Sequence, residues 1–282
     1  MKKFLIFLIF IFPFIAFAYE KDKLSRLKVI GICQKCDLKE VNLKNINLSK
    51  SDIKGANLEK SKLENINFEN SNLMEVNLSK SFILNSNFKK VNLQDSNLKK
   101  TLIQNVNFKG ANLKGAIFEE VVLKGVIFKG VNLMGANLSD VDLTNVELTG
   151  ANLKKANLKL INLEGKKVQS VNFEGANLKG ANLKGTEFID VNFKNANLEG
   201  VVFTDATLIG LNLYKSNLLG ANLEGANLEG VNLKNSNLED ANLIDVNFKD
   251  ANLTGATLTN AMIDGMILCR TDTSEGKINS GC

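Results

Sequence analysis

The side chains best suited to chemistry in this 282-residue chain are four cysteines, and there is no histidine. Without imidazole there is no Ser-His or Cys-His nucleophile pair, and the commonest general base and metal ligand are missing. The cysteines fall in two pairs, Cys33 with Cys36 near the start and Cys269 with Cys282 at the end. A C-x-x-C pair does redox chemistry where a strand feeds a helix, and four thiolates hold zinc where they converge. Carboxylate chemistry would have to come from neighbours such as Asp140 with Asp142, or Glu119 with Glu120. Such pairs arise by chance when 23% of residues are charged. No catalytic, cofactor or metal site is therefore expected, and the chain reads as a non-enzyme.

The elements that place these residues begin with a targeting segment. Lys2 and Lys3 precede an apolar run from Phe4 to Phe17, which closes on Ala16-Phe17-Ala18 before the polar Tyr19-Glu20-Lys21-Asp22. Charged start, apolar middle and small-residue site are the three parts of a secretory signal peptide, here residues 1–18. An uncleaved anchor is the alternative, but the run is shorter than the ~20 residues of a spanning helix. Cleavage near Ala18 removes the only proline, Pro13, leaves no membrane span, and puts the mature chain in the bacterial periplasm or outside the cell. In that setting an even cysteine count favours disulfides, paired by proximity as Cys33–Cys36 and Cys269–Cys282. Redox and zinc readings need a strand-to-helix context or ends that meet, and a long regular stretch separates the two pairs.

That stretch, residues 36–270, has a period of five. Residues 38, 43, 48 and so on to 268 form 47 consecutive apolar centres: 32 Leu, 10 Phe, four Ile and one Val. Two residues before a centre the side chain is small or β-branched in 43 cases, the exceptions being Cys36, Lys166, Leu211 and Met266. Between the two lies Asn in 30 units and Asp in three. Alternation over three residues is the signature of a strand with one face inward, and the remaining two residues must turn the chain. Eighteen glycines stand two residues after a centre, where a positive φ costs them little. Lysines stand there too, at Lys50, Lys60, Lys80 and Lys90, so not every corner is expected to be left-handed. A helix is excluded, because the period is neither 3.5 nor 3.6. Phe68, Phe88, Phe108, Phe128, Phe188 and Phe248 lie multiples of 20 apart. Like side chains stack well on adjacent coils, so four units are expected per coil, giving roughly 11–12 coils in a rod of about 56 Å.

Units such as Ala111-Asn112-Leu113-Lys114-Gly115 and Ala221-Asn222-Leu223-Glu224-Gly225 resemble the A-(N/D)-L-x-x unit of the pentapeptide-repeat family. The resemblance implies an all-β, right-handed quadrilateral β-helix with the centre and the residue two before it inside. The cysteine-bearing ends are similar to those of exported members. It also implies no activity for most members, while a subset binds type II DNA topoisomerases by imitating DNA.

Residues 19–35 are expected to cap the first coil, with Leu24, Leu27 and Ile30 at helical spacing. Residues 271–282, tied back by Cys269–Cys282, are expected to form the lid at the other end. The apolar last coil, with Met262, Met266, Ile267 and Leu268, offers an end-to-end homodimer as the alternative to a monomer. Three departures stand out. Lys166, followed by Lys167, occupies an inward position, so the chain is expected to bulge or the lysine to snorkel. Phe82, Leu102 and Val122 replace outward Asn 20 residues apart, and Ile117 and Ile127 flank them as a candidate interaction surface. Charge is uneven: residues 1–198 carry 30 basic and 19 acidic side chains, and residues 199–282 carry five and 11. The reading that follows is an exported structural or interaction rod with an envelope or extracellular protein partner. The alternative, a DNA-mimicking topoisomerase-binding protein, is disfavoured by the net charge of +5 and the signal segment, and no nucleic-acid partner is expected.

Overall fold

The computed structural model describes residues 23–282, so the expected signal segment, residues 1–18, lies outside the described residues. Residues 23–30 are helical. Leu27 is fully buried against the first coil and Leu24 is half-buried. After them the chain runs in coils of twenty residues up to a closing hairpin.

The coil length is fixed by backbone pairing. Parallel rungs join outward residues to those 20 further on, from Ile32↔Asp52 to Asn252↔Asp272, at all but two positions. The ladder thus starts one unit before residue 36 and passes through about twelve coils of a quadrilateral β-helix. On one face the pairing is regular enough to form the parallel strands β1 (Asn42–Lys44), β2 (Lys62–Glu64), β3 (Phe82–Leu84), β4 (Leu102–Gln104) and β5 (Val122–Lys124), a five-stranded sheet. Two further parallel pairs are β6 (Val126–Ile127) with β7 (Val146–Glu147), and β8 (Lys167–Gln169) with β9 (Glu187–Ile189). The chain ends in an antiparallel hairpin, β10 (Leu268–Thr273) and β11 (Gly276–Ser280).

Each five-residue unit closes its own hydrogen bonds upward and downward. At a typical unit Leu113 N–H donates to Asn132 O at 2.7 Å, Asn132 N–H returns to Ala111 O at 2.9 Å, and Gly115 N–H reaches Met134 O at 3.0 Å. The outward Asn does two further things. Asn132 Oδ1 accepts the N–H of Met134 at 3.2 Å, holding the corner, and its Nδ2 donates to Asn112 Oδ1 at 3.0 Å, extending a side-chain ladder down the rod. That double use explains why Asn dominates a position for which mere polarity would suffice.

The corners correct one expectation. Every fifth residue from Lys35 to Arg270 has a positive φ except Asn145, and the lysines conform: Lys50, Lys60, Lys80 and Lys90 lie at 60°, 57°, 60° and 55°. A non-glycine residue pays roughly 1 kcal/mol for this. It holds because a left-handed corner aims the N–H at the next coil, as Lys60 N–H does to Ser79 O at 2.9 Å and Lys80 N–H to Lys99 O at 2.8 Å. At Gly265, with φ 68°, a Cβ would meet only the carboxylate end of the exposed Asp245, which can swing aside, so the preference for glycine there is conformational.

The interior is one continuous apolar column. All 10 phenylalanine centres are buried. Phe68, Phe88, Phe108 and Phe128 stack with centroids 5.1, 5.2 and 5.4 Å apart, and Phe173 stacks on Phe193 at 5.1 Å. Several inward hydroxyls donate to carbonyls of the preceding coil, others such as Ser216 donate to the carbonyl three residues before, and Ser51 Oγ and Ser96 Oγ are buried without a protein partner. Ser71 Oγ donates to Leu48 O at 2.7 Å, and Thr186 Oγ1 to Leu163 O at 2.8 Å.

Candidate functional site

Both expected cysteine pairs are disulfide-bonded, with Cα atoms 5.4 Å apart for Cys33–Cys36 and 4.9 Å for Cys269–Cys282. Cys33 is buried in the first coil. Cys282 ties the chain end to β10, whose Arg270 grips the coil below. Arg270 Nε and Nη2 each lie 2.6 Å from an Asp250 carboxylate oxygen. This guanidinium fork holds the Asp250 carboxyl below its ordinary range. Among the described residues no cluster of three or more cysteine or carboxylate side chains is placed to hold a metal ion.

The candidate carboxylates are engaged in structure. Glu119 accepts from Lys99 Nζ at 2.7 Å and from Asn137 Nδ2 at 3.0 Å, and Glu120 pairs with Lys100 at 3.3 Å. The lysine contact lowers the Glu119 pKa, the reverse of what a general acid needs. Asp142 Oδ1 accepts from Thr144 Oγ1 at 2.7 Å and Thr144 N at 2.9 Å. These bonds, with a smaller contribution from the charge of Lys166, hold its carboxyl low. Asp140 forms a left-handed corner, its N–H donating to Lys159 O.

The apolar departures come together on the five-stranded face. Phe82 pairs with Leu102 and Leu102 with Val122 in direct register. Phe82 is 50% exposed and Val122 48%, while Leu102 is half-buried. Ile117 and Ile127 lie one corner away on either side of Val122, both exposed. The structure adds Leu84, the last residue of β3, beside Phe82. Its position two residues after Phe82, in a slot filled by Glu64 and Gln104 on the adjacent coils, was the available sequence signal. At these rungs the corner-holding Asn is absent, so apolar surface stands where the rest of the rod has a hydrogen-bonded ladder.

Lys166 marks the one break in the coil. The rungs Val122↔Asp142 and Glu147↔Lys167 are both missing, and Asn145 between them is the corner that is not left-handed. Lys166 is half-buried, and its Nζ donates to Thr144 O. In the regular pattern that carbonyl would accept from Gly125 N–H, a bond that is absent. The lysine therefore avoids an unpaired buried charge by taking a ladder acceptor, and the corner opens into a cleft of about 420 Å³ lined by residues 144–149, Leu163, Lys166, Lys167 and Val168. Lys167 itself points outward to Glu187 at 3.1 Å. Lys166→Ala, which supplies the commonest residue at that position of the unit, is expected to close the corner. It should raise stability by about 1 kcal/mol through restored ladder bonds. Thermal unfolding would show the gain, and slowed amide exchange at Asn145 and Lys167 would place it; unchanged exchange there would count against this account.

Stacked five-residue β-units around a four-sided apolar core define a repeat solenoid. Family models described as pentapeptide repeat region match residues 104–173 and 166–243, and models of eight pentapeptide repeats match 32–70, 51–89, 71–107 and 236–272. The chain belongs to the pentapeptide repeat family. Among solved structures it is similar to HetL of the cyanobacterium Nostoc sp. strain PCC 7120, a pentapeptide repeat protein involved in heterocyst differentiation regulation. Identity is 25%, coverage is 90% of this chain and 97% of HetL, and the TM-score is 0.30. A trypsin-treated form of QnrB1, a plasmid-mediated fluoroquinolone resistance protein, is 17% identical over 80% of this chain and 88% of its own, with a TM-score of 0.30. A pentapeptide repeat protein of the Arabidopsis thaliana thylakoid lumen is 22% identical over 39% of this chain and 66% of its own, with a TM-score of 0.20. At these scores the family models carry the assignment. No curated protein matches the chain.

Proposed function

We propose that the protein is an exported, non-catalytic rod that presents the Phe82–Leu102–Val122 face to a protein partner of the cell envelope or the extracellular space. The observation that carries this reading is the in-register apolar ladder itself. Each of its three members gives up the corner bond and ladder bond that Asn supplies elsewhere, and leaves apolar surface in water instead. A partner that buries this surface restores the balance. Export is supported by the n-region, apolar run and Ala16-Phe17-Ala18 site, and by two disulfides, which persist in oxidising compartments. Among the described residues no helix is long and apolar enough to cross a membrane.

The test uses the repeat's own preference. Phe82→Asn, Leu102→Asn and Val122→Asn together convert the face to the ordinary ladder without disturbing the core. The variant is expected to melt no lower than the parent, yet to lose a partner that the parent captures from envelope extracts. Equal capture by both would remove the face from consideration. Amino-terminal sequencing of the protein recovered from the periplasm or medium should begin at Tyr19.

A further inference from the structure

The two ends of the rod are finished differently. At the start, the helical residues 23–30 lie over the first coil, and Cys33, Leu38, Leu43 and Leu48 inside it are all buried. At the finish, β10 and β11 follow one edge and leave the rest open. Leu258 is 37% exposed and Ile263 53%, although their counterparts one coil earlier, Leu238 and Leu243, are fully buried. Met262 and Ile267 beside them are also exposed. Interior side chains thus face solvent at the end of the rod, and the rungs at Thr257, Met262 and Ile267 have no coil beyond them. A solenoid end of this kind needs a cover to stay soluble.

The outer side of the opposite end matches it. Leu27 points into the first coil, so the far side of the same helix carries Val29, 81% exposed, between Arg26 and Lys28, with Ile30 and Ile32 exposed alongside. The charges are complementary. Residues 23–54 hold eight basic and three acidic side chains, and residues 239–282 hold seven acidic and three basic. Contact between two finishing ends sets acid against acid, and contact between two starting ends sets base against base. Only a start-to-finish contact pairs apolar with apolar and opposite charge with opposite charge.

We propose that the helical start of one molecule covers the open last coil of another, so that a second copy of this chain supplies the missing lid, head to tail. Such a contact is heterologous, leaves one free surface at each extremity, and propagates into an open filament along the rod axis instead of closing as a dimer. The inference is independent of any partner on the Phe82 face, which lies on the side of the rod and stays accessible in the filament.

Sedimentation velocity on the purified protein over a concentration series, at low and high salt, tests this with two end-blocked variants. Val29→Asp with Lys28→Glu blocks the start, and Met262→Asp with Ile263→Asp blocks the finish. All four positions are exposed, so both variants are expected to fold. The parent should pass beyond dimer as concentration rises, and fall back toward monomer in high salt. Each variant alone should remain monomeric, while an equimolar mixture should form dimers and stop there, because one intact start meets one intact finish. That mixture also reports that both variants are folded. A parent that stays monomeric throughout overturns the proposal. So does one that stops at dimer and is disrupted only by the variant blocked at the finish, which would be symmetric pairing of the open ends.

Discussion

Replacing Leu138 with aspartate is expected to unfold the middle of the rod, whereas replacing its neighbour Asn137 with serine should cost about 1 kcal/mol. Leu138 is fully buried at an inward centre. A carboxylate there would have no partner, because the coil's hydrogen-bonding groups are committed to the rungs, and an unpaired buried charge costs roughly 4–5 kcal/mol or more. Small domains hold about 5–15 kcal/mol in all. In a solenoid each coil is stabilised mainly by its neighbours, so a lesion in one coil uncouples the coils on either side. Asn137 faces outward. Its Oδ1 accepts from Ser139 N at 3.3 Å and Asn157 Nδ2 at 2.9 Å, and its Nδ2 reaches Glu119 at 3.0 Å. Serine keeps a hydroxyl acceptor near the corner and loses the bonds to the coils above and below, all of them wet. Urea unfolding of the two variants provides the measurement. Similar losses from both would mean that the inward and outward assignment is wrong.

The contrast between these neighbours was legible in the sequence because a strict period leaves each side chain only one place to point. The same is true of the Phe68–Phe128 column and of the Phe82–Leu102–Val122 ladder, since both rest on spacing alone. The left-handed corners at Lys50, Lys60, Lys80 and Lys90 were not legible. Local preference argues against positive φ at lysine, and the bonds to the next coil that overrule it join residues 19 apart, as Lys60 to Ser79. Lys166 was visible as a misfit, but its acceptor, Thr144 O, lies on another coil and is free only because Asn145 leaves the regular corner. The open finish was hidden for the opposite reason. Leu258 and Ile263 keep the apolar pattern without fault, and a pattern does not say which coil is the last.

Truncating Phe108 to alanine is the second large effect expected, a loss of about 3–5 kcal/mol. Its ring sits between Phe88 and Phe128, at centroid distances of 5.2 and 5.4 Å and interplanar angles of 46° and 49°. Rings on both sides are held by the backbone ladder at a fixed coil spacing, so they cannot move together to fill the space. Phe108→Leu should cost far less, roughly 1 kcal/mol, since the same slot carries Leu148, Leu208 and Leu228 in later coils. The column itself illustrates what lost bulk does. Above Phe128 it narrows to Leu148 and then Val168, before Phe188 restores the ring, and this narrow stretch borders the cleft that Lys166 holds open. Phe108→Ala should therefore place a second weak coil within reach of an existing one. Amide exchange should accelerate most between residues 88 and 148, ahead of either end of the rod. Uniform acceleration along the chain would instead show that the coils unfold as a single unit and that local bulk does not set local stability.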